Sequence, residues 1–163
     1  MIEGNVWKYS DDVNTDVIFP GKYTYQPMEP EEMAEHAMED LDPNFAKNVA
    51  PGDVVVAGKN FGCGSSREQA ATCLKAAGIA AVIAKSFSRI FFRNAINNGL
   101  PVIELKESAD EIENRDRVKI DFENGIVQHE GNEYHFPGLP REVLSILEDG
   151  GLIPHVKKVL GTG

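Results

Sequence analysis

Three short apolar runs organise the middle of the chain: Val54-Val55-Val56-Ala57, Ile79-Ala80-Ala81-Val82-Ile83-Ala84, and Val102-Ile103-Glu104-Leu105 after Pro101. Each is too short for a buried helix, and most carry β-branched residues, so they read as buried strands. Between the first two, residues 66–77 hold good helix formers, Gln69-Ala70-Ala71-Thr72-Cys73-Leu74-Lys75, with Gly78 where a helix C-cap glycine belongs. Between the second and third, residues 86–96 form another candidate helix, closed by Gly99. Strand–helix–strand–helix–strand implies parallel strands joined by right-handed crossovers.

The flanks are less regular. Val6-Trp7-Lys8-Tyr9 alternates weakly and is a candidate strand. Residues 11–16 are polar and turn-rich, and Pro20 ends any strand begun at Val17-Ile18-Phe19. Residues 22–30 hold two prolines and read as an exposed loop. Pro30-Glu31-Glu32 opens a predicted helix to about Leu41, with acids in its first turn and Met33, Ala37 and Leu41 at helical spacing. Pro51-Gly52-Asp53 is a tight turn into the first buried run. In the tail, residues 118–122, 126–129 and 133–136 read as short strands separated by Asn124-Gly125, a strong hairpin signal, and by Gly131-Asn132. Two short helices follow, over 140–147 and 152–160. The expectation is an α/β fold over residues 1–163 as one domain, with parallel central strands and a C-terminal antiparallel hairpin. The loops before residue 54 are long for so small a domain, which points to function or to an interface.

Composition changes this picture little. The 163 residues are 42% hydrophobic with a net charge of −10, an ordinary acidic globular composition. No basic face is available for sequence-independent nucleic-acid binding. No run approaches a membrane span, and the N-terminus lacks a signal peptide's basic and apolar regions, so a cytoplasmic protein is expected. Cys63 and Cys73 match no zinc or haem spacing, and two thiolates fall short of an iron–sulfur cluster. Cys73 reads as a small buried hydrophobe. Cys63, in a glycine turn, could react or merely pack. His36, His129, His135 and His155 show no metal spacing and read as surface or partly buried histidines. No metal ligand set is assigned.

The candidate chemistry lies in Asn60-Phe61-Gly62-Cys63-Gly64-Ser65-Ser66-Arg67-Glu68, between the first buried strand and its helix. A glycine-rich turn at a helix N-terminus aims backbone N–H groups, two hydroxyls and a guanidinium at one point, which suits a carboxylate or a phosphate. The same residues are also a capping box, serine at the cap and glutamate three residues on. The carboxyl end of a buried strand is where α/β sheets bind ligands, and an arginine in a first helical turn opposes the helix dipole unless an anion is near.

Three blocks resemble the small subunits of isopropylmalate isomerases, and through them the C-terminal swivelling domain of aconitase. They are Asn14-Thr15-Asp16 with Ile18 and Pro20; the residue 60–68 motif; and Lys85-Ser86-Phe87-Ser88-Arg89-Ile90, with Asn94 and Gly99-Leu100-Pro101 following. The resemblance implies a β/β/α swivelling domain that works with a separate large subunit carrying a [4Fe-4S] cluster, with no cofactor in this chain. It implies a hydro-lyase of leucine biosynthesis that moves a hydroxyl between adjacent carbons by dehydration and rehydration of a small hydroxy acid. Ser65 then matches the base that takes the proton from carbon. Ser66 and Arg67, with Gly64, match substrate-carboxylate ligands. Asp16 matches an active-site polar residue, although it could equally be a turn cap. Lys85, Ser86 and Arg89 fit solvated or interface roles. Self-association of the small subunit stays open.

Lys22-Tyr23-Thr24-Tyr25-Gln26 matches the family's specificity loop. Relatives acting on a substrate with an extra carboxylate carry arginine where Tyr25 stands. An aromatic ring there offers apolar surface to an isopropyl group instead. The alternative is a homoaconitase small subunit or a broader hydroxy-acid hydro-lyase. From another class, RNA-binding aconitase relatives are disfavoured by the acidic charge.

Overall fold

The computed structural model describes residues 1–106 and 110–161. Seven strands form one sheet: β1 (Ile2–Lys8), β2 (Val54–Ala57), β3 (Ala81–Ala84), β4 (Val102–Glu104), β5 (Arg117–Asp121), β6 (Ile126–His129) and β7 (Asn132–His135). Their order is β4-β3-β2-β1-β5-β6-β7. From β1 to β4 the pairing is parallel, with Val6 opposite Val54, Val55 opposite Val82 and Val82 opposite Val102. From β1 to β7 it is antiparallel, beginning with Gly4 opposite Val118. β1 is the seam between the two kinds of sheet.

The buried runs are explained by two cores. Val55, Ala57, Val82 and Ala84 pack with Leu74, Phe91 and Ile96 from α4 (Glu68–Ala76) and α5 (Arg89–Asn97). The alternate residues Val54, Val56, Ala81 and Ile83 pack instead with Val118, Ile120, Val127 and Phe136 of the antiparallel half. The antiparallel strands therefore curl over one face of the parallel strands while helices cover the other, a β/β/α layering. Strands covered on both faces must be continuously apolar. Each buried valine or isoleucine contributes roughly 1.5–3 kcal/mol.

Local predictions failed at four places. Residues 15–18 are α1 (Thr15–Ile18), not strand: the Asn14 side chain caps them by accepting from Val17 N–H at 2.9 Å. The helix expected to reach Leu41 stops early, as α2 (Pro30–Glu35). Met38 has φ 60° and donates its N–H to the Ile18 carbonyl at 2.8 Å, so a tertiary bond breaks the helical repeat. Residues 43–51, which carry no periodic pattern and read as a plain connector, contain a short α3 (Phe45–Asn48). The helix expected from Ser86 begins only at Arg89, where the Ser88 hydroxyl caps Phe91 N–H. The tail follows expectation, ending in α6 (Arg141–Glu148) and α7 (Leu152–Val159). Among the described residues, no helix is long and apolar enough to cross a membrane.

Candidate active site

Three loops leave the carboxyl ends of β1, β2 and β3 and lie side by side. Asn14 bridges Cys63, and Phe61 bridges Phe87, both in parallel sense. Thr15 N–H donates to the Cys63 carbonyl and Gly62 N–H to the Val13 carbonyl, at 2.8 and 2.7 Å. On the other side, the Ser88 hydroxyl donates to the Gly62 carbonyl at 2.9 Å. The glycine turn is thus held between the other two family blocks. Gly62 is required by space as well as by its φ of 79°, because a Cβ there would fall 2.3 Å from Phe91 Cβ. Gly64, at φ 96°, turns the chain out again, and Gly64, Ser65 and Ser66 are exposed. Among the described residues, nothing accepts their three backbone N–H groups.

The capping-box reading does not survive. α4 begins at Glu68 with Arg67 as its N-cap, and no side chain caps it. The Ser65 hydroxyl is therefore not committed to the helix. Its carbonyl is: Thr15 Oγ1, from a residue only 3% exposed, donates to it at 2.9 Å.

Arg67 does not point outward from a first helical turn. Its guanidinium is buried and folds back, with Nη1 donating to the Thr15 carbonyl at 3.2 Å, to Asp16 Oδ1 at 3.2 Å, and to the Phe19 carbonyl. The cation also lies 5.5 Å from the Phe19 ring centroid. Nε and Nη2 are buried with no partner. These two atoms form one edge of the fork, the edge that grips a carboxylate with two parallel bonds. Asp16 is exposed and serves Arg67, while the turn cap is Asn14.

The loop Lys22 to Gln26 lies against the same helix. Tyr23 donates its hydroxyl to Glu39 Oε2 at 3.0 Å and its ring lies 4.1 Å from that of His36. Lys22 Nζ is 3.8 Å from Glu39. Desolvation would raise the Glu39 carboxyl, but the hydrogen bonds from His36 and Tyr23 outweigh it and hold it below the usual carboxylate range. Thr24 presents its carbonyl to Gln69 Nε2 at 2.9 Å. Tyr25 is 97% exposed.

The two cysteines lie in different surroundings. Cys73 is fully buried, and burial pushes its thiol far up. Burial, then the nearby Asp12 charge, raises Cys63 as well. His129 is buried rather than at the surface, with Nε2 2.7 Å from Asp116 Oδ2. With Glu130 it makes a cluster of ligand type on the antiparallel half. The Glu113 N–H and then His129 hold the Asp116 carboxyl below its usual range, so a hydrogen-bonded pair accounts for the contact.

The chain belongs to the aconitase C-terminal domain family, which matches residues 10–108. Over its whole length it groups with small subunits of 3-isopropylmalate dehydratases. It is 52% identical to the small subunit 1 of that enzyme from Thermotoga maritima, over 97% of this chain and 96% of the relative. It is 50% identical to a methanogen homoaconitase small subunit from Methanothermobacter thermautotrophicus, over 100% of this chain and 95% of the relative. The crystal structure of a 3-isopropylmalate dehydratase from Methanocaldococcus jannaschii superposes with a TM-score of 0.91 at 46% identity, covering 98% of this chain and 95% of that one.

Thr15, Gln69, Glu39 and Phe91 were not assigned roles from sequence. Thr15 lies inside the Asn14-Thr15-Asp16 family block, so its position was a usable signal. Nothing local marks Gln69 or Glu39, because their partners are 45 and 16 residues away.

Proposed function

We propose that this chain is the small subunit of a 3-isopropylmalate dehydratase, interconverting 2- and 3-isopropylmalate by loss and re-addition of water together with a large subunit. One observation carries the reading: the Nε/Nη2 edge of Arg67 is buried, unpartnered and supported from behind by three oxygens. A buried half-used guanidinium is costly, and a substrate carboxylate would complete it once the exposed turn of residues 64–66 moves to admit it. The Ser66 hydroxyl would serve one of the carboxylate's other lone pairs.

With the carboxylate held, the substrate's acidic carbon would lie beside Ser65, whose hydroxyl is exposed and free of capping. A serine is a weak base and needs activation. The free N–H groups of residues 64–66, the α4 N-terminus and the Arg67 charge all favour an alkoxide at Ser65 Oγ. Ser65 would take the proton in dehydration and return it on the adjacent carbon in rehydration. Asp16 holds the guanidinium in register. We assign no cluster to this chain; a [4Fe-4S] cluster held by the large subunit would supply a Lewis acid for the departing hydroxyl.

Tyr25 supports isopropylmalate over a substrate with a further carboxylate, since no cation stands at that position. The homoaconitase relative keeps a longer tricarboxylic acid as the second reading. The test is reconstitution with the cluster-loaded large subunit under anaerobic conditions and assay on both acids. Isopropylmalate turnover that needs both chains supports the proposal. Turnover by this chain alone, free of metal, overturns it.

A further inference from the structure

We infer that Gln69 is a specificity-positioning residue, tying the substrate-selecting loop to the helix that bears the carboxylate-binding turn; this rests on the function proposed above. The loop before Tyr25 is anchored at two places. Tyr23 is held by Glu39 and His36, on the α2 side. Thr24 is held by Gln69 Nε2, donating to its carbonyl at 2.9 Å. Gln26 N–H then closes the turn onto the Tyr23 carbonyl at 3.1 Å. Tyr25 lies inside that turn, its side chain 97% exposed. Its backbone is mounted firmly and its ring is free, the arrangement of a side chain waiting for something to pack against.

Gln69 is two residues after Arg67 and lies in the first turn of α4. The tether therefore runs from the selecting loop to the same helical turn that sets Arg67. If Arg67 holds one end of the substrate and Tyr25 meets the other, Gln69 sets the distance between them. No other described side chain donates to the backbone of Thr24, Tyr25 or Gln26. The loop could otherwise pivot about Tyr23, and a pivot would leave chemistry at Ser65 intact while blurring the choice of substrate. That separates a positioning role from a catalytic one.

The test uses Gln69→Met, similar in length and unable to donate, and Gln69→Glu, which sets an acceptor against the Thr24 carbonyl. Hydrogen exchange on the isolated chain reads the tether directly: the amides of residues 24–26 should exchange about three- to tenfold faster in both variants, the loss expected of one neutral hydrogen bond. On the reconstituted enzyme, KM for isopropylmalate should rise by about the same factor with kcat nearly unchanged. The preference for isopropylmalate over homoaconitate should fall by about three- to tenfold. Unchanged exchange, or faster exchange with an unmoved preference, overturns the inference while the functional reading stands. A wild-type complex inactive on both acids overturns the functional reading and removes this inference with it.

Discussion

The two halves of the sheet share one strand and differ in how their strands are joined. On the antiparallel side, β6 reaches β7 through Glu130-Gly131 alone, with His129 paired to Asn132. On the parallel side every return is a crossover, and each crossover begins with a loop at a strand's carboxyl end. A hairpin turn has no spare residues, whereas a crossover needs a dozen or more and can be elaborated. The loops after β1, β2 and β3 carry Asn14 to Asp16, residues 60–68 and residues 85–90, and they bond to one another. Parallel topology is what brings the three family blocks together. The antiparallel half supplies a covering core and none of the residues assigned to the reaction.

The largest expected effect tests whether chemistry belongs to the parallel side alone. Ser65→Ala should lower kcat of the reconstituted enzyme by roughly 10²–10⁴-fold, the loss of a positioned base. Because Ser65 does not cap α4, its melting temperature should stay near wild type. Near-normal turnover would remove Ser65 from the mechanism.

The converse substitution is Ile120→Ala on β5. Ile120 is fully buried in the core shared by both halves. Its truncation should cost about 2–5 kcal/mol in denaturant unfolding. Below the unfolding range, kcat and KM should match wild type. A large activity loss in the folded variant would show that the covering layer does more than cover.

Between these lies Arg67→Lys. An ammonium can replace Nη1 before the Thr15 and Phe19 carbonyls, but it has no second edge for a carboxylate. KM should rise at least about tenfold, a loss of ~1.4 kcal/mol, with a smaller change in kcat. An unchanged KM would mean the orphaned Nε/Nη2 edge is not a carboxylate site.

How much of this was legible in the sequence follows the same division. Val54 to Ala57 and Val82 to Ala84 announced themselves because strands covered on both faces admit no polar residue. Asn124-Gly125 announced its hairpin because few residues tolerate its backbone, and Gly125 has φ 68°. Residues 36–41 were misread because their conformation is set from afar by the Met38–Ile18 bond, and residues 15–18 because the apolar run Val17-Ile18-Phe19 masks the turn that the Asn14 cap closes. The motif at 60–68 was readable as a glycine turn between strand and helix, and the α4 boundary was not. The serine-to-glutamate spacing fits a capping box, but Arg67 is drawn down onto Thr15 and Phe19 and delays the helix to Glu68. Arg67's burial came from contacts 48 and 52 residues away, beyond any local pattern.

The smallest expected effect is a pH response that divides the halves again. Glu39 anchors the selecting loop, and its carboxyl is held low by His36 and Tyr23 against desolvation. Asp121, at the β5–β6 hairpin, is held low by the side chain and then the N–H of Asn124. Each folded-state value lies below its unfolded one, so each contribution is complete above the unfolded value and is lost as pH falls through the folded one. For Glu39, about one-third exposed, the contribution is a few tenths of a kcal/mol. Hydrogen-exchange protection at residues 23–26 should thus fall modestly between pH 5.5 and 3, and protection in the hairpin should fall with it. Glu39→Gln should remove the pH dependence at residues 23–26 and leave that of the hairpin, while Asp121→Asn should do the reverse. Only Glu39→Gln should also weaken isopropylmalate binding at neutral pH, because only that anchor holds the loop proposed to choose the substrate. Equal effects of both substitutions on KM would erase the functional distinction between the halves.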